Sequence, residues 1–199
     1  MKEEKTVIKP FSDKEVKRML EAFQGDDYIN IRSSAVIAML FDTGISSYEL
    51  CTLTNDCIHE DSILIMGKGK KERRVDKSPY LAKILMKYER VKQFNFEFKS
   101  LIKDSYFLSR TGKHLTNSAV ERIVKMAGES AKVSSEIRCS PHTCGHYFAQ
   151  AQLKHGTDVY SLSRLLGHEN IKITQGYLQG LHDEEVVIKL IKSIVLMNL

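Results

Sequence analysis

No stretch of the 199-residue chain approaches the roughly 20 consecutive apolar residues that a membrane-crossing helix needs. The N-terminus, Met1-Lys2-Glu3-Glu4-Lys5, also lacks the apolar core of a secretory signal. Internal repeats and low-complexity tracts are absent as well, which excludes solenoid and fibrous architectures. Prolines are scarce: there are three, at positions 10, 79 and 141, each where the pattern suggests an element boundary. Four cysteines, Cys51, Cys57, Cys139 and Cys144, are too few and too unevenly spaced for a disulfide framework. These absences point to a cytoplasmic protein with free thiols.

Cys139, His142, Cys144 and His146 lie close enough in sequence to suggest zinc. No second well-spaced Cys/His pair completes a structural finger, so small buried side chains are the expected role and no metal or cofactor is expected. Composition is that of an ordinary globular protein, 42% hydrophobic and 28% charged, and long enough to bury a real core. The formal net charge of +5 permits nucleic-acid binding without establishing it. Local clustering says more, because Lys68, Lys70, Lys71, Arg73 and Arg74 crowd one short segment. Such a cluster serves equally as a solvated hairpin tip or as a ribbon that reaches phosphates.

Hydrophobic spacing predicts a mainly helical α+β domain. Ser12 and Glu15 form a capping box ahead of Val16, Met19, Leu20 and Phe23 at helical spacing. Gly25-Asp26-Asp27 breaks that helix, and a second runs from about Asn30 to Gly44. Ser47 is placed to cap a short third. Residues 62–66 and 72–75 around a Gly-Lys-Gly turn read as a hairpin, with a further strand near Cys57-Ile58-His59, giving a small three-stranded antiparallel sheet. A helix follows Pro79 through Tyr88; Lys92–Lys103 reads as a loop or lid. Helices are predicted after Thr116, after Ser140-Pro141 and after Thr157 or Asp158, with an apolar-striped helix over Glu184–Leu196.

The candidate chemical residues each have an ordinary structural alternative. His142, in the first turn of a helix, could bond a neighbouring loop, and His168, after a helix-ending glycine, could answer the helix dipole. Tyr177 could be a half-buried aromatic, and Lys68 one turn lysine among several. Together they suit a metal-free attack on a phosphodiester. That reaction needs a nucleophile, a proton donor for the leaving oxygen and cations around the phosphorane.

These residues are also where a family resemblance lies. Asp42-Thr43-Gly44-Ile45-Ser46-Ser47-Tyr48-Glu49-Leu50, Gly67-Lys68-Gly69-Lys70-Lys71-Glu72-Arg73, Ser140-Pro141-His142-Thr143-Cys144-Gly145-His146, and Leu165-Leu166-Gly167-His168 with Tyr177 nine residues on resemble, in order, the motifs of the tyrosine recombinases, the phage integrase family. The resemblance implies a catalytic fold of helices around a small sheet, with Tyr177 as nucleophile. Lys68 and His142 would assist proton transfer and His168 would support the phosphate. It divides the chain into a linker (1–10), a catalytic domain (11–180) and a C-terminal helical tail (181–199). Double-stranded DNA is the implied partner, with self-association on DNA through the tail.

Two positions depart from the family pattern. Ser46 and Gly145 stand where the resemblance implies the arginines that grip the scissile phosphate. Serine offers one neutral donor and glycine only backbone, neither a charged fork. Arg32, Arg110 and Arg138 are candidate substitutes. The implied activity is site-specific DNA recombination or integration through a 3′-phosphotyrosyl intermediate, impaired by these replacements. The alternatives are a DNA-binding relative that does not cut and a type IB topoisomerase-like enzyme.

Overall fold

The longest apolar helix lies at the centre of the molecule. In this computed structural model, which describes residues 9–67, 72–97, 104–168 and 170–175, α2 (Tyr28–Thr43) buries residues on every face, from Ile31 through Phe41. A helix apolar all round belongs in a core, and α2 packs against α1 (Asp13–Leu20), α4 (Pro79–Phe96), α5 (Asn117–Ser130) and α6 (Pro141–Lys154). Asp27, expected as part of a breaker, is the N-cap of α2, accepting hydrogen bonds from the amides of Ile29 and Asn30. The helix therefore starts two residues before Asn30. The Ser12–Glu15 capping box at α1 is present as expected.

Between α2 and α4 lie α3 (Ser47–Thr52) and a hairpin of β1 (Ser62–Met66) and β2 (Glu72–Asp76), registered with Ser62 opposite Asp76 and Met66 opposite Glu72. Ile63, Ile65 and Val75 face the core. The sheet has two strands among the described residues rather than three. Residues Asn55–Cys57 form a 3₁₀ turn instead, in which Cys57 and Ile58 donate their amides to Thr54 and Asn55. Only an isolated bridge from Ile58 to Ile63 remains of the third strand.

The helix after Pro79 is longer than its sequence pattern suggested. It extends through Phe96, which is buried edge-on against Tyr28 with ring centroids 5.0 Å apart. That contact recruits Lys92–Phe96, read from sequence as part of a loop, into α4. Lys92 itself donates to the carbonyls of Ser105 and Tyr106 and to Asn55 Oδ1, pinning α4 to the chain beyond.

α5, α6 and α7 (Val159–Leu166) begin at Thr116, Ser140 and Asp158 as their capping residues predict. α7 ends at Gly167, whose φ is 70°, and a short α8 (Ile171–Gln175) follows that the pattern did not reveal. α7 rests on a separate small apolar cluster, Phe148, Ala149, Leu153 and Leu162, supplied jointly with α6. Phe11 is buried in the main core. Residues 1–8 of the expected linker and the whole tail from 181, with its Glu184–Leu196 helix, lie outside the described residues. Among the described residues no helix is long and apolar enough to cross a membrane.

Candidate active site

A tight turn positions the first motif. Gly44 ends α2 in the left-handed region, at φ 61°, and Phe148 of α6 presses on it so closely that a Cβ there would sit 2.4 Å from the ring. Only glycine meets both conditions. The turn buries Ile45 and presents Ser46 at the surface as the N-cap of α3. Ser47, expected as the cap, is instead the first helical residue. The Ser46 amide and hydroxyl donate to the Glu49 carboxylate at 2.9 and 2.7 Å, closing a capping box.

Glu49 is thereby turned toward β2, where Arg73 meets it. One guanidinium nitrogen pairs with Oε1, and Nη2 donates to Oε2 at 3.0 Å. The third donor, Nε, reaches the Leu165 carbonyl at the end of α7, 2.8 Å away. The Arg73 and Glu49 side chains are only 8% and 11% exposed. Burial alone would raise the Glu49 pKa; the Arg73 hydrogen bonds and charge, with those from Ser46, hold it below the ordinary carboxylate value. Gly167 lies against this guanidinium, and a Cβ there would approach Nη1 to 3.1 Å.

His168 follows directly. Its amide donates to Ser163 O, and its ring Nδ1 is 2.8 Å from the hydroxyl of Thr174, a residue of α8 that is fully buried. The backbone and the imidazole of His168 are thus each held by one of these bonds. Its pKa is lowered, first by burial and then by the Arg73 charge, with Glu49 opposing and His142 adding to the lowering.

α6 supplies the third part. His142 is exposed in its first turn, and Gly145, three residues on, shares that face. A Cβ at Gly145 would meet nothing within 4 Å. His146 is 7% exposed, its ring 6.2 Å from that of His142. Burial, reinforced by His142, lowers its pKa to about 4, so it is neutral at pH 7.

The sequence-derived site residues are therefore partly assembled. His168 lies within electrostatic reach of His142 and of the Arg73–Glu49 pair. Arg73, expected among the phosphate-reaching cations, faces inward. Arg74 stays at the surface and binds Ser62 Oγ and Asp61. Lys68, Lys70, Lys71 and Tyr177 lie outside the described residues. Arg32 is buried in the core, donating to Leu108 O beside the Tyr28 ring, so it does not stand in for either replaced position. Arg110 sits in an exposed turn, and Arg138 lines an open groove of about 560 Å³ with Arg122, Lys125 and Ser140. Among the described residues no cluster of histidine, cysteine and carboxylate side chains could hold a metal. Sequence reasoning missed Thr174 and the inward role of Arg73. The Ser46-x-x-Glu49 spacing did signal the cap, one residue before the serine chosen.

Comparison with known proteins decides the family. The model of the phage integrase family matches residues 9–184. The chain belongs to the phage integrase family. Tyrosine recombinase XerC of Bacillus subtilis (strain 168) is 31% identical over 179 residues, covering 88% of this chain and 58% of that protein. XerC of Thermodesulfovibrio yellowstonii is 32% identical over 164 residues, covering 80% and 54%. The chain thus spans little more than half the length of these integrase-family relatives. The crystal structure of XerA recombinase superposes with a TM-score of 0.79 at 24% identity, covering 98% of this chain and 66% of that one. XerH recombinase, in a post-cleavage complex with a palindromic difH substrate, gives 0.77 at 21% identity, covering 95% and 54%. The mainly helical fold with its small antiparallel sheet is that of these recombinases.

Proposed function

We propose that this chain is the catalytic domain of a site-specific tyrosine recombinase, acting on double-stranded DNA through Tyr177, with cleavage slowed at the phosphate. The carrying observation is the setting of His168, which stands at the end of α7 beside the Glu49–Arg73 pair and within electrostatic reach of His142. The structural likeness to the Tn1549 transposon integrase in complex with circular intermediate DNA supports DNA as the partner. The Tyr177 oxygen attacks phosphorus, forming a 3′-phosphotyrosyl bond as the 5′ oxygen departs. Lys68 and His142 move the protons, and His168 supports the phosphate. The reverse attack by a 5′ hydroxyl on the phosphotyrosine rejoins a strand. Residues 11–180 form the catalytic unit, and 181–199 a tail through which copies associate on DNA.

Ser46 and Gly145 are the weak points of this chemistry. The Ser46 hydroxyl donates to Glu49, so the one donor at that position is already committed. Gly145 leaves open space where a charged fork would project. A lost oxyanion donor typically costs about 10²–10³ in rate. The same two observations favour a second reading, a DNA-binding relative that does not cut.

A pool of nicked duplexes with randomised flanks, which lose the short strand on cleavage, distinguishes the readings. A covalent adduct that accumulates slowly and vanishes in Tyr177→Phe supports the first. Retained gel-shift binding with no adduct at long times leaves the second. Relaxation of supercoiled plasmid without site preference would point instead to topoisomerase chemistry.

A further inference from the structure

Arg73 lies five residues after Lys68 in sequence, in the run of cations that looks made for phosphates. Its side chain does something else. We infer that Arg73 is a positioning residue, which ties the hairpin base to α3 through Glu49 and to the end of α7 through Leu165, and so fixes where His168 stands. The inference rests on the recombinase reading only for what His168 does in the reaction; the tether stands on geometry alone.

The chemistry suits arginine and no other residue. The last four carbonyls of a helix have no intrahelical amide to accept from. At the end of α7, Ser163 O and Arg164 O receive the amides of His168 and Gly167. Leu165 O receives Arg73 Nε. The remaining edge of the guanidinium is taken up by the two Glu49 oxygens. One planar fork thus serves three acceptors on two elements, which a lysine ammonium with its tetrahedral donors does not match. A cation at a helix C-terminus is also favourable to the dipole. Gly167 completes the arrangement by having no Cβ to push the guanidinium away. Glu49 is in turn held by Ser46. The serine at the replaced arginine position is therefore the far end of this chain of contacts.

His168 reports on the tether because the two partners act on it with opposite sign: Arg73 opposes its protonation and Glu49 favours it. NMR titration of the His168 ring in the full chain is the test. Arg73→Met removes the cation and leaves Glu49, so the His168 midpoint moves up. Glu49→Gln leaves the cation unopposed, so it moves down. A role limited to general stability gives no such pair of opposite shifts. Should Arg73→Met fail to fold, the near-isosteric Glu49→Gln carries the test by its downward shift.

Arg73→Lys keeps the charge and loses the fork, so its midpoint stays near the original while amide exchange at the end of α7 quickens. Shifts of the same sign, or none in Glu49→Gln, would overturn the inference. So would a salt dependence of duplex binding that falls by about one unit of slope in Arg73→Met, the mark of a phosphate contact. Loss of all DNA binding in the unaltered chain would sink the recombinase reading and leave the titration result standing.

Discussion

Burial separates the two histidines of α6. His142 is exposed at the helix start, whereas His146, one turn on, is enclosed and stays neutral down to about pH 4. In the unfolded chain an imidazole takes up its proton near pH 6.5. Below that value the unfolded state binds a proton that the folded state refuses, so stability is lost as pH falls from about 6.5 to about 4. The loss attributable to His146 is at most about 3 kcal/mol. Urea titrations across this range are expected to show that slope, and His146→Gln to flatten it. Gly145 offers a second test at this scale. Its added Cβ meets nothing, so Gly145→Ala is expected to raise stability by about 0.5–1 kcal/mol through helix propensity alone. A measured decrease would mean that the open space is needed by the fold.

At the scale of elements, the turn at Gly44 and the cap at Ser46 decide how the first motif is presented. Gly44→Ala meets a left-handed backbone and the Phe148 ring at 2.4 Å together, so a loss exceeding about 2 kcal/mol is expected in thermal or denaturant melts. Ser46→Ala removes the cap together with the hydroxyl's bond to the Glu49 carboxylate, and is expected to cost about 1 kcal/mol.

Elements with local determinants were legible in the sequence. The boundaries at Ser12, Gly44, Thr116, Ser140, Asp158 and Gly167 follow from capping chemistry, which acts within a few residues. Those set by distant contacts were not. Phe96 extends α4 because Tyr28, far away in sequence, offers a ring to pack against. The strand expected at Cys57–His59 is displaced by a 3₁₀ turn whose amides are already bonded. Arg73 reads as a surface cation until Glu49 and Leu165 are brought beside it by the fold.

For the whole molecule, most buried apolar residues form one core around α2, and a small cluster between α6 and α7 carries the segment bearing His168. The Arg73 tether is a polar contact between this segment and the hairpin. Of the residues implied by family resemblance, His168 stands beside that tether and within electrostatic reach of His142, while Lys68 and Tyr177 lie outside the described residues. The proposed defect, a nucleophile without its phosphate clamp, is a property of the assembled site rather than of any element. It is tested most directly by the rate of covalent trapping on the nicked duplex pool, comparing the unaltered chain with the Ser46→Arg, Gly145→Arg double variant. The account predicts slow or undetectable adduct in the former and a gain of at least about 10²-fold in the latter, despite the lost cap. Equal rates in the two proteins, with the adduct on Tyr177, would contradict it.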